Sequence, residues 1–196
     1  MKHLILLTLS CLAMATASTL QVKSRQADPC EDCKSGTESL FEYLQTPMEV
    51  TKQTDDLIKV ACPEFENFGG CEVGVLDWWG ELNKIYFSSP YSVSGVCTGM
   101  QACNGTTQAR EWNCETCQSL ISQVGDAMVL PESVDGTVEL FNEDFCAAFD
   151  GEPQNACNIW VAEFTPVGMP VIANHIKKHK EESCNIVYDN VCMGGR

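Results

Sequence analysis

Cys30-Glu31-Asp32-Cys33 returns 84 residues later as Cys114-Glu115-Thr116-Cys117, and these two short runs head blocks of six cysteines with almost one spacing. The first block continues through Cys62, Cys71, Cys97 and Cys103, the second through Cys146, Cys157, Cys184 and Cys192. The first three members of each block keep the same offset, after which the second copy stretches slightly, as a duplicated module with longer loops would. Twelve of the thirteen cysteines are thereby placed. No nucleophile, cofactor loop or metal motif competes with this repeat.

The remaining cysteine, Cys11, falls in a stretch that reads as a secretory leader. Lys2 and His3 precede the apolar run Leu4-Ile5-Leu6-Leu7, and Ala15-Thr16-Ala17 offers small residues at a cleavage point, so residues 1–17 are expected to be removed. The run is too short for a bilayer span. Removal of Cys11 leaves an even number of half-cystines in an oxidising lumen, where structural bridges are the expected chemistry. Zinc or redox use of the two Cys-x-x-Cys pairs explains the ten companion cysteines less well. Asn104-Gly105-Thr106 is an N-glycosylation acceptor in the polar stretch after the first block.

The expected organisation is one module at 30–103, a link at 104–113, and a second module at 114–192. Each module has fewer than 80 residues, and one small core stabilises such a unit weakly unless bridges add to it. The apolar pattern within both is helical. Cys33, Thr37, Leu40 and Leu44 follow i, i+4, i+7, i+11, as do Cys117, Ile121, Val124 and Met128. Val50, Thr54, Leu57 and Ala61 repeat that step and are matched by Val134, Val138, Phe141 and Phe145. Pro47 and Pro131 fall in the turns between these helices. A third helix over Val75–Phe87 should stop at Ser88-Ser89-Pro90, with a short fourth running through Val93 toward Cys97 and Cys103. In the second module Thr165-Pro166-Val167-Gly168-Met169-Pro170 predicts a kink or break before the helix resumes near Ile172.

A cysteine at each module end, a second pair just inside and a close pair in the middle suggest nested bridges. Six cysteines allow fifteen pairings, and spacing alone does not choose among them. Each block resembles a saposin-like (saposin B-type) domain, in its opening Cys-x-x-Cys, its central close pair and its C-terminal pair. The resemblance takes in all twelve cysteines and about four fifths of the chain. It implies an all-α fold of two tandem disulfide-linked domains, each of four or five amphipathic helices. It also implies the pairs Cys30–Cys103, Cys33–Cys97, Cys62–Cys71, Cys114–Cys192, Cys117–Cys184 and Cys146–Cys157. Closing a loop as long as 30–103 restricts the unfolded chain by roughly 4 to 5 kcal/mol of entropy, so resistance to heat and proteases is expected.

The net charge of −15 is spread over both modules: residues 30–103 hold twelve acidic and four basic side chains, and 114–192 hold thirteen and three. Nucleic acid is thereby excluded as a partner, and anionic membranes are repelled at neutral pH. Contact with anionic lipid would improve as carboxylates protonate near pH 4 to 5, which favours a lysosomal or endosomal lumen or the extracellular space. One basic run stands out, His175-Ile176-Lys177-Lys178-His179-Lys180. On a helix, His175, Lys177, Lys178, His179 and Lys180 would meet lipid headgroups, their charge raised by acid, while Ile172 and Ile176 face the apolar side. A solvated face is the plainer reading of the same run, and a zinc site lacks a third ligand.

The expected lipid-contact residues are Leu40, Leu44, Leu57, Leu76 and Trp79 in the first module and Ile121, Val124, Phe141, Phe145 and Phe164 in the second, with Ile172 and Ile176. Trp79 groups with Leu76 and Leu82 in the core, which leaves Trp78 at its margin for lipid or a partner; Phe65, Phe68 and Trp160 lie near the central cysteines as further marginal aromatics. The resemblance implies a noncatalytic protein that binds, transfers or presents lipid, with no cofactor or metal. Its partners would be a membrane surface at acid pH, a lipid hydrolase or a second copy. Permeabilisation of membranes in defence or digestion is the alternative. Neither His175 nor His179 is paired with a Ser or free Cys in a nucleophilic arrangement, so no enzyme is expected.

Overall fold

The computed structural model describes residues 28–65, 70–99, 103, 113–187 and 191–193. The expected leader, Cys11, Phe68, Asn104 and most of the link lie outside the described residues. Four helices form the first half: α1 (Pro29–Leu44), α2 (Pro47–Asp56), α3 (Cys71–Ser88) and α4 (Pro90–Gly99). A π-helical turn at Leu57–Ala61 and a 3-10 turn at Cys62–Phe65 carry α2 on to its central bridge. The second half repeats the order with α5 (Cys114–Met128), α6 (Pro131–Asp144), α7 (Glu152–Lys178) and α8 (Lys180–Val187).

Local chemistry sets these boundaries. The Asp28 carboxylate accepts from the Cys30 amide at 3.0 Å and the Asn113 side chain from the Thr116 amide at 2.9 Å, so the helix that opens each half is capped. Pro47 and Pro131 stand in the first turns of α2 and α6, where a missing N–H costs nothing. The bridges join Cys30 to Cys103, Cys33 to Cys97 and Cys62 to Cys71, then Cys114 to Cys192, Cys117 to Cys184 and Cys146 to Cys157. None of the six joins one half to the other.

The stripes of α1 and α5 are buried at the expected positions. On α2 the buried face is turned by one residue, to Glu49, Gln53, Leu57 and Ala61, leaving Val50 and Thr54 half-buried. Polar pairing inside the fold explains the turn. Gln53 donates to the Leu44 carbonyl at 3.0 Å and accepts from Asn83 at 2.7 Å, and Glu49 meets a histidine of the second half. On α3 the core residues are Val75, Trp79, Leu82 and Tyr86; Leu76 is 63% exposed, so it does not belong to the inner stripe. It sits one residue, and therefore about 100°, off that i, i+4, i+7, i+11 row.

Of the kink or break expected in the second half, the break does not occur, because α7 runs as one helix for 27 residues through Pro166 and Pro170. Pro166 is exposed and Pro170 half-buried, and residues 162 and 163 are exposed, whereas Val161, Phe164, Gly168, Met169 and Ile172 face inward. The carbonyls that lose an amide partner therefore lie on the outer side of the helix, where water satisfies them. This helix is also long and apolar enough to cross a bilayer, but its buried side is occupied by α5, α6 and the first half. The buried apolar side chains of both halves form one continuous cluster.

Candidate functional site

The helices α2 and α3 of the first half press against α6 and α7 of the second, and the residues that meet there form a seam with an aromatic part and a charged part. In the aromatic part, the Trp78 ring meets Phe145 at 5.8 Å and stands edge-on to Trp160 at 5.0 Å between centroids. Trp160 stacks on Phe164 at 4.3 Å, and Phe164 in turn meets Phe65 at 6.0 Å. Gly74, one turn before Trp78, makes room for the indole: a Cβ there would stand 3.1 Å from the Trp160 ring. Trp79 points into the interior of its own half, as its helical position implies. Trp78, expected at the margin for lipid or a partner, packs against the second half of the same chain. Phe65 and Trp160, expected as marginal aromatics near the central cysteines, belong to this seam, as does Phe145.

The charged part lies along α2. His175 on α7 is 2% exposed, with Nδ1 2.8 Å from Asp56 Oδ2 and Nε2 3.1 Å from Glu49 Oε2. Only the doubly protonated imidazolium donates at both nitrogens to two carboxylates. Lys52 joins the cluster by donating to Glu49 Oε1 at 2.6 Å and across the seam to Glu182 Oε1 at 3.2 Å. Burial by itself would push the Glu49 carboxyl up, but bonds from Lys52 and His175, the nearby Tyr43 hydroxyl and the charge of Lys52 outweigh it and hold the group below its ordinary range. The bond to Glu49 likewise raises the Lys52 ammonium. Burial, followed by the neighbouring Glu49, pushes the Tyr43 phenol up.

This arrangement overturns part of the expected headgroup patch. His175 is a buried cross-link between the halves, so it cannot present charge to a surface. Lys177 is half-buried and paired with Asp126, an approach that Gly125 permits on α5. Lys178 is exposed, and His179 and Lys180 are half-buried at the end of α7, with His179 Nδ1 3.4 Å from Glu182. Leu40, Leu44, Leu57, Trp79, Ile121, Val124, Phe141, Phe164, Ile172 and Ile176 are buried in the shared core, and Trp78 and Phe145 are half-buried. An open groove beside the Cys62–Cys71 bridge is lined by Ile58, Pro63, Phe65 and Val73. Glu49 and Asp56 were not singled out from the sequence. Their signal was a pair of acids seven residues apart on one face of an amphipathic helix, which reads equally as solvated surface.

Among the described residues no three His, Cys, Asp or Glu side chains are grouped to hold a metal ion. No family model matches this chain, and no curated protein or solved structure is significantly similar to it. The geometry itself establishes a disulfide-rich, all-helical, two-lobed molecule consistent with a saposin-like fold. Its bridges imply an oxidising environment such as the secretory route provides.

Proposed function

We infer that this is a secreted, noncatalytic protein of the saposin-like kind that binds lipid and carries or presents it in an extracellular or lysosomal compartment. The observation that carries this reading is the continuous apolar interior shared by two separately bridged halves. Such a molecule can exchange helix-helix contact for contact with acyl chains while its bridges keep each half from unravelling. The removal of residues 1–17, the glycan at Asn104 and presentation of lipid to a hydrolase belong to the same reading. Permeabilisation of anionic membranes is less well supported, because burial of His175 and pairing of Lys177 shrink the cationic face such attack uses. Incubation of the secreted protein with mixed vesicles between pH 4 and 7, followed by native mass spectrometry and a dye-leakage assay, tests the reading. Lipid-bound protein without leakage is expected. Leakage without a bound complex would favour permeabilisation, and neither outcome at any pH would refute lipid handling.

A further inference from the structure

We propose that the chain admits lipid by parting along the seam between its two halves, and that His175, held between Glu49 and Asp56, is the latch on that seam. The proposal rests on the lipid-handling reading above and adds where the molecule opens and what restrains it. Three observations support it. First, no disulfide crosses the seam, so the halves are joined there by side-chain contact alone. Second, the seam and the interiors differ in chemistry. Within each half the buried polar side chains are neutral ones such as Thr37, Gln53 and Asn83, whereas the seam holds the buried Glu49 and His175 with the partly exposed Lys52, Asp56 and Glu182 beside them. Charged groups recover their hydration when they separate, so a buried ionic cluster stabilises a contact by much less than its bonds suggest. Parting the seam therefore costs less than its buried surface implies, while opening a half exposes hydrocarbon and neutral polar groups with no charged pair to rehydrate.

Third, the surfaces released would suit acyl chains. Trp78 and Phe145 meet across the seam, and Trp160 lies between Trp78 and Phe164, so separation presents flat aromatic faces on both sides. With a net charge of −15, the protein would take up zwitterionic or neutral lipid in preference to anionic lipid. The latch draws on groups from every element around it. Glu49, Lys52 and Asp56 come from α2, Tyr43 from α1 beside Glu49, His179 from the next turn of α7 with ring centroids 4.7 Å apart, and Glu182 from α8.

The test uses the disulfide-intact full-length protein in a Trp112→Phe background and vesicles of phosphatidylcholine brominated on its acyl chains, which quench nearby indoles. Quenching is expected to be retained in Trp79→Phe and lost in the Trp78→Phe, Trp160→Phe double variant. Replacing His175 by Gln, or Asp56 by Asn, should bring half-maximal quenching at about tenfold lower lipid concentration, because the fraction of open molecules rises. Quenching that instead disappears with Trp79→Phe would show that the first half opens internally and would overturn the proposal while leaving lipid handling intact. An unchanged lipid requirement in folded His175→Gln and Asp56→Asn variants would remove the latch. No quenching in the parent would overturn lipid handling and the seam site together. The comparison of tryptophans in the parent still decides the location if the His175 variant fails to fold.

Discussion

At the scale of single residues, Glu49 and His175 form the most consequential contact, because both are buried and each is a hydrogen-bond partner of the other across the seam. Replacing His175 by Ala leaves Asp56 unpaired and Glu49 supported by Lys52, so unfolding in urea with the bridges intact should show a loss of about 3 kcal/mol. The pH dependence follows from the depressed Glu49 carboxyl. A group whose pKa is lower in the folded state stabilises the fold above its unfolded value, and that contribution is lost as pH falls through the folded value. Glu49 should therefore hold the seam while ordinary carboxylates are being protonated and give way only below that range. Denaturation curves across pH 2 to 6 should show this slope in the parent and a flatter one in Glu49→Gln. An acid slope undiminished by that variant would assign the effect to other carboxylates.

At the scale of elements, α3 and α7 show how a helix can break local rules on one face while obeying them on the other. Both interior prolines of α7, Pro166 and Pro170, lie toward its outer side, and its inner side packs without interruption. Pro166→Ala restores an amide for the 162 carbonyl. An interior proline costs about 3 kcal/mol, part of which is offset by the stiffer unfolded chain, so a gain of about 1 to 2 kcal/mol in thermal stability is expected. Two glycines of α3 should respond in opposite senses. Nothing lies within 4 Å of a Cβ at Gly80, so Gly80→Ala should stabilise by about 1 kcal/mol through helix propensity. At Gly74 the Trp160 ring fills the space, and Gly74→Leu should destabilise by about 2 kcal/mol through overpacking across the seam. Equal melting temperatures for those two variants would contradict the packing described.

At the scale of the whole molecule, the two halves behave as one folded body because neither covers its own apolar surface alone. Each half keeps its three bridges to itself, so cutting the chain between Cys103 and Cys114 yields two fragments with no covalent connection. The core-like seam should nevertheless hold them together. A protease site engineered into 104–112 and fully cleaved should give one peak of unchanged size on gel filtration at pH 6 and two chains under non-reducing denaturing conditions. Separation of the cleaved halves in native buffer would mean that the seam adds little to stability. Separation of the halves by acid only below the range in which ordinary carboxylates titrate would agree with the Glu49 argument.

The all-helical class, the two modules and the stripes of α1 and α5 were legible in the sequence, because helix period and cysteine spacing are properties of short segments. The continuity of α7 was not legible. A proline breaks a helix or is tolerated according to whether its freed carbonyl faces water, and that depends on what packs against the other side. The seam was equally hidden. Glu49, Asp56 and His175 each read as solvated polar groups on their own helices, and their chemistry arises only when segments 119 and 126 residues apart are brought together. Burial and pairing are long-range outcomes, so tertiary structure alone converted a surface histidine into the link between the halves.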